Sequence, residues 1–121
     1  MDRMQMEILT EAGIDAGSAL ERMMGSEALM KRLFLKFPED GSFAALSACL
    51  EKGDREGALT ASHTLKGMCG NLSMDRLYEL FSTQVELMRD GSWDAAVSLM
   101  PQIGAAYEKA VSAIRRSFAA V

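Results

Sequence analysis

The pattern that most constrains this chain is helical: apolar residues recur at three- and four-residue spacing, and no stretch of useful length alternates apolar with polar. β-branched residues are scarce while Ala, Leu, Met and Glu abound, a composition that favours helix. An all-α chain is therefore predicted. Punctuation divides it. In "GIDAGSALERMMGSEALMKRLFLKFPEDGSF", Asp15 can cap a helix, Gly25 breaks it, and Ser26 caps a second one before an apolar segment through Phe37. Pro38 then starts a new helix or kinks the old one, and Gly41 with Ser42 offers a further start. The next helix, about 42–51, ends at Lys52-Gly53, where the cation suits the C-terminal dipole. Asp54 caps the helix that runs to about Leu72. Ser73 is expected to cap the one after it, with Asp75 in the first turn and Asp90-Gly91 closing it after Arg89. Ser92 opens a last helical region to about Ala119, which Pro101 is expected to kink or divide.

Short connections between amphipathic helices favour antiparallel neighbours. The expected architecture is an up-down antiparallel four-helix bundle over about 26–119, with a short additional N-terminal helix or helices in 1–25. The whole of 1–121 is expected to form a single domain. With 121 residues, 49% of them apolar, the chain can bury a continuous core without staples.

The formal net charge of -4 and the single basic pair Arg115-Arg116 argue against nucleic acid as a partner, because phosphate backbones are bound through clustered cations. No signal peptide is evident. The longest uncharged run, Ala95 to Tyr107, is too short to span a bilayer and contains Pro101. A cytoplasmic, membrane-free, monomeric protein or module is expected. Cys49 and Cys69 stand in no Cys-x-x-Cys arrangement, so they read as small buried hydrophobes, and most of the ten methionines read as core filler.

One stretch stands apart. "SHTLKGMCGNL", Ser62 to Leu72, holds the only histidine, followed by two glycines within a helical segment. Each such glycine costs roughly 0.5–1 kcal/mol relative to alanine. On a wheel of 100° per residue with His63 at zero, Lys66, Gly67 and Gly70 fall at roughly -60°, +40° and -20°. Leu59 and Thr60 share that side. Opposite lie Ala58, Ala61, Leu65, Met68, Cys69 and Leu72, an apolar stripe that must face the core. The glycines are thus expected to keep an open docking face around His63, with Lys66 as a cation in the same turn.

No second histidine is present to build a metal site, and Ser62 and Thr64 point about 100° away from His63, so no local nucleophile-base pair forms. Nor is there a Gly-x-x-x-x-Gly-Lys-Ser/Thr loop. Independent catalysis is not expected. A neutral imidazole can instead act as the nucleophile and carry a transferred group, and the neutral form of an imidazole is well populated near pH 7. If that group is phosphoryl, Lys66 can stabilise its added charge.

At these residues the chain resembles the histidine-containing phosphotransfer (HPt) domains, whose signature His-x-Leu-Lys-Gly is matched by His63, Leu65, Lys66 and Gly67, with Gly70 and Leu72 following. "GIDAGSALERMMGSEALMKRLFLKF" and "CLEKGDREGALTASHTLKG" resemble the family's N-terminal segment and its approach to the active helix. The resemblance implies a helical bundle in a two-component phosphorelay. His63 would accept a phosphoryl group from a receiver-domain phosphoaspartate or a histidine kinase and pass it to a receiver aspartate. Lys66 would assist electrostatically. Leu59, Thr60, Gly67 and Gly70 would form the docking face, with Met68 adding apolar contact at its rim. In the family a polar residue on the next helix steadies the imidazole or the phosphate; Val85 stands in that register here, and Gln84, one position earlier, is the candidate. Ser73 occupies a turn position that is often glycine in the family. The chain would be a phosphocarrier without kinase activity of its own, binding no cofactor or metal, with Mg2+ supplied by the partner receiver. The alternative is a non-catalytic helical module that regulates a signalling protein by docking.

Overall fold

Side-chain caps set four of the helix starts. Asp2 accepts from the Gln5 backbone N–H while the Gln5 side chain accepts from Asp2 N–H, a reciprocal cap that opens α1 (Arg3–Glu11). Asp15 accepts from Ser18 N–H at the start of α2 (Ala16–Arg22), and Ser26 from Leu29 N–H at the start of α3 (Glu27–Lys36). The chain then makes a 3-10 turn, Phe37–Glu39, around Pro38. α4 (Ser42–Lys52) ends on left-handed Gly53, and Asp54 caps α5 (Arg55–Asn71) by accepting from Gly57 N–H at 2.9 Å. α6 (Asp75–Arg89), α7 (Trp93–Ser98) and α8 (Met100–Phe118) complete the chain. This computed structural model describes residues 1–118, all of whose regular elements are helical, as predicted.

α5 lies between α4 and α6, and α8 packs on α6, α3 and α1, giving a helical bundle. The buried positions Ala58, Ala61, Leu65 and Cys69 of α5 join Leu9, Phe34, Phe81, Ile103 and Ile114 in one continuous core. Each large apolar side chain buried there contributes about 1.5–3 kcal/mol. Phe34 stacks on Phe118 at 5.6 Å between ring centroids, and Phe43 on Tyr107 at 4.0 Å, tying α3 and α4 to α8. Arg55 lies over the Trp93 ring at 5.2 Å and links the start of α5 to α7.

Two local expectations are resolved by tertiary contacts. Pro101 divides the last helical region rather than kinking it: a turn at Leu99 separates α7 from α8, and the proline sits in the first turn of α8, where its missing N–H removes no helical bond. The predicted end at Ala119 lies outside the described residues. Ser73, by contrast, does not cap α6. Its φ is +52°, the left-handed region that favours glycine. Met74 takes the cap position without a side-chain bond. The Ser73 hydroxyl instead donates to Ser18 Oγ at 2.9 Å, and its carbonyl accepts from Asp15 N–H at 2.8 Å. These bonds fasten the α5–α6 turn to the start of α2.

Candidate functional site

The 17 residues of α5 position the site. Its apolar stripe is buried as the wheel predicts, except that Met68 is only half-buried, and this orientation turns His63 outward. His63 is exposed and Lys66 is half-buried. Both line an open depression of about 480 Å³ together with Gly67, Gly70 and Asn71 of α5, Asp75 and Tyr78 of α6, and Arg22 at the end of α2.

The two glycines, equivalent on the wheel, differ in space. A Cβ added at Gly67 would meet nothing within 4 Å, so that face is open. At Gly70 it would lie 3.1 Å from Cε1 and 3.2 Å from Cδ1 of Tyr78. The expectation that Gly70 keeps a docking face clear is therefore corrected: its missing side chain is filled by the Tyr78 ring. The same ring lies 5.9 Å from Lys66 Nζ, within cation–π range.

Gln84 is also corrected. It is 0% exposed, on the interior side of α6, so it does not face His63. Its Nε2 donates to the Ala96 carbonyl at 3.0 Å and faces Met100 Sδ at 3.4 Å, while its Oε1 accepts from Ser62 Oγ at 2.8 Å. Val85 is likewise buried. Of the other expected docking residues, Leu59 is half-buried and Thr60 exposed. Neither lines the depression around His63; Thr60 lines a separate one between α4 and α5, and its hydroxyl donates to the Glu56 carbonyl. Met68 lines an apolar groove of about 240 Å³ with Met23, Leu33, Phe37 and Leu72, which meets the His63 depression at Asn71.

Sequence reasoning missed Arg22 and Tyr78. Arg22 falls in the basic last turn of α2, and its place beside His63 depends on the Ser18–Ser73 and Asp15–Ser73 bonds that seat that helix. The charged side chains lining the depression are then two cations, Arg22 and Lys66, and one carboxylate, Asp75, on a chain whose formal net charge is -4. The local balance favours an anion. Among the described residues no group of three or more His, Cys, Asp or Glu is placed to hold a metal ion. An exposed imidazole that shares an open depression with two cations can take up and release an anionic group at a ring nitrogen.

A model of the Hpt domain family matches residues 18–116, which include every residue of the depression. The chain belongs to the Hpt domain family. No curated protein and no solved structure matches it significantly. Hpt domains have a phosphotransfer role in two-component signalling and interact with receiver domains and histidine kinases. In this Hpt domain α1 precedes the matched range and packs along α8, where Gln5 Nε2 donates to the Ser117 carbonyl. No helix among the described residues is long and apolar enough to cross a membrane.

Proposed function

We propose that His63 is the phosphorylated residue, accepting a phosphoryl group from a receiver phosphoaspartate or a histidine kinase and passing it to a receiver aspartate. The observation that carries this is the exposure of His63 beside Lys66 and Arg22 on a face that Gly67 leaves open. In the forward step an unprotonated ring nitrogen attacks phosphorus and the P–O bond to the donor carboxylate breaks. The carboxylate leaves with the bonding electrons, and the ring's other N–H releases its proton to solvent. Lys66 and Arg22 offset the charge that accumulates on the phosphoryl oxygens.

The rest of the reaction's machinery belongs to the partner. Mg2+ is expected to arrive with the receiver, and this chain contributes the nucleophile and the docking face. The groove of Met23, Leu33, Phe37, Met68 and Leu72, which meets the His63 depression at Asn71, offers apolar contact to that partner.

Incubation with a panel of phosphorylated receivers should place an acid-labile, base-stable label on wild-type protein and none on His63→Gln. Equal labelling of the variant, or no transfer to wild type across the panel, overturns the proposal. Intact regulatory output from His63→Gln, combined with loss of binding on a bulky Gly67 substitution, would instead establish a docking module that carries no phosphate.

A further inference from the structure

Lys66 is a long, flexible cation, and a lysine that assists phosphoryl transfer must have its ammonium held near the reacting atoms rather than dispersed in solvent. On α5 no hydrogen bond or ion pair holds it, and Gly70, four residues on and next along the same face, has no side chain. The restraint comes from α6. Tyr78 stands one turn into that helix, 41% exposed, with its ring 5.9 Å from Lys66 Nζ and its Cε1 and Cδ1 against the space at Gly70. The ring faces the same depression as His63 and Lys66.

We infer that Tyr78 is the positioning residue for Lys66: its π-face holds the ammonium on the His63 side of α5, and Gly70 is glycine so that the ring can lie there. This rests on the phosphotransfer reading of His63. Family resemblance had suggested a polar side chain on that helix acting on the imidazole or the phosphate; here an aromatic face on α6 acts on the lysine instead. The attraction needs only the ring, so the hydroxyl is dispensable. Asp75 competes for the same ammonium from the first turn of α6, but Lys66 and Asp75 form no ion pair within 4.0 Å.

Two measurements test the inference. In unphosphorylated protein, NMR of the Lys66 side-chain methylenes should show an upfield ring-current shift that persists in Tyr78→Phe and disappears in Tyr78→Leu. An unshifted wild-type signal overturns the pairing whether or not His63 is ever phosphorylated. In phosphotransfer from a phosphorylated receiver, Tyr78→Phe should stay within about twofold of wild type, and Tyr78→Leu should slow by about two- to fivefold. Gly70→Ala, whose new methyl displaces the ring, should behave like Tyr78→Leu while remaining folded by circular dichroism. In a Lys66→Gln background the Tyr78→Leu change should cost nothing further. An additive loss there, or a Phe variant as impaired as Leu, overturns the role of Tyr78. Absence of label on wild-type His63 would instead sink the phosphotransfer reading, leaving the NMR shift to decide the pairing alone.

Discussion

Ser62 donates a 2.8 Å hydrogen bond to Gln84 across the α5–α6 interface, and both side chains are 0% exposed. Ser62 adjoins His63 in sequence, yet it faces the interior while the imidazole faces solvent. The Gln84 amide is engaged at both ends, since its Nε2 donates to the Ala96 carbonyl. Ser62→Ala leaves a buried carbonyl oxygen without its donor, a loss of about 1–3 kcal/mol. Urea unfolding should show that loss, whereas labelling of the variant at His63, measured in the absence of urea, should match wild type.

Substitutions at Gly67 should separate stability from transfer. A methyl there meets no other atom, so Gly67→Ala should raise stability by about 0.5–1 kcal/mol through helix propensity alone. Gly67→Phe should also fold, because the position is exposed. Its ring covers the face beside His63, so transfer from a receiver should fall at least tenfold. Thermal melts paired with transfer rates check both statements.

The charges around the depression should act with opposite signs. Arg22→Gln removes one of two cations and should slow transfer by roughly 1.5- to fivefold, while Asp75→Asn removes the opposing carboxylate and should speed it by a similar factor. Both effects should shrink as salt is raised, because these side chains are exposed. Rates measured across an ionic-strength series would contradict the assignment if the two variants shifted in the same direction.

Burial pushes the Cys69 thiol from 9.0 up to about 12. The raised value means that the folded state keeps the proton while the unfolded state loses it. The contribution to stability is fully present below pH 9 and is lost as pH rises toward 12, at a slope of about 1.4 kcal/mol per pH unit. Burial, Asp40 and Cys69 itself also raise the Tyr107 phenol, so the part of the slope that vanishes in Cys69→Ala contains the thiol's own titration and its effect on Tyr107. Denaturant unfolding between pH 8 and 11 measures it. In native protein at pH 8, iodoacetamide should modify half-buried Cys49 and spare Cys69.

What could be read from residues alone was whatever depends on neighbours within one or two turns. Asp15, Ser26 and Asp54 announce helix starts because a cap bonds to an N–H three residues on. The outward direction of His63, Lys66 and Gly67 followed from helical phase, because the apolar stripe opposite them has only one way to be buried. The His-x-Leu-Lys-Gly resemblance named the family that the match over residues 18–116 then showed.

Helical phase could not separate Gly67 from Gly70, since only the register of α6 against α5 puts a tyrosine ring over one and solvent over the other. It also could not reveal that Gln84 points inward, that Ser73 adopts a left-handed turn to bond Ser18, or that α2 carries Arg22 to the rim of the depression. Each of these is a contact between residues distant in the chain. The sequence by itself determined an all-helical chain with its histidine on an exposed face, because caps and helical phase are local. Only the tertiary structure decided which side chains surround that histidine, because helix–helix register is set by the packing of whole faces against one another.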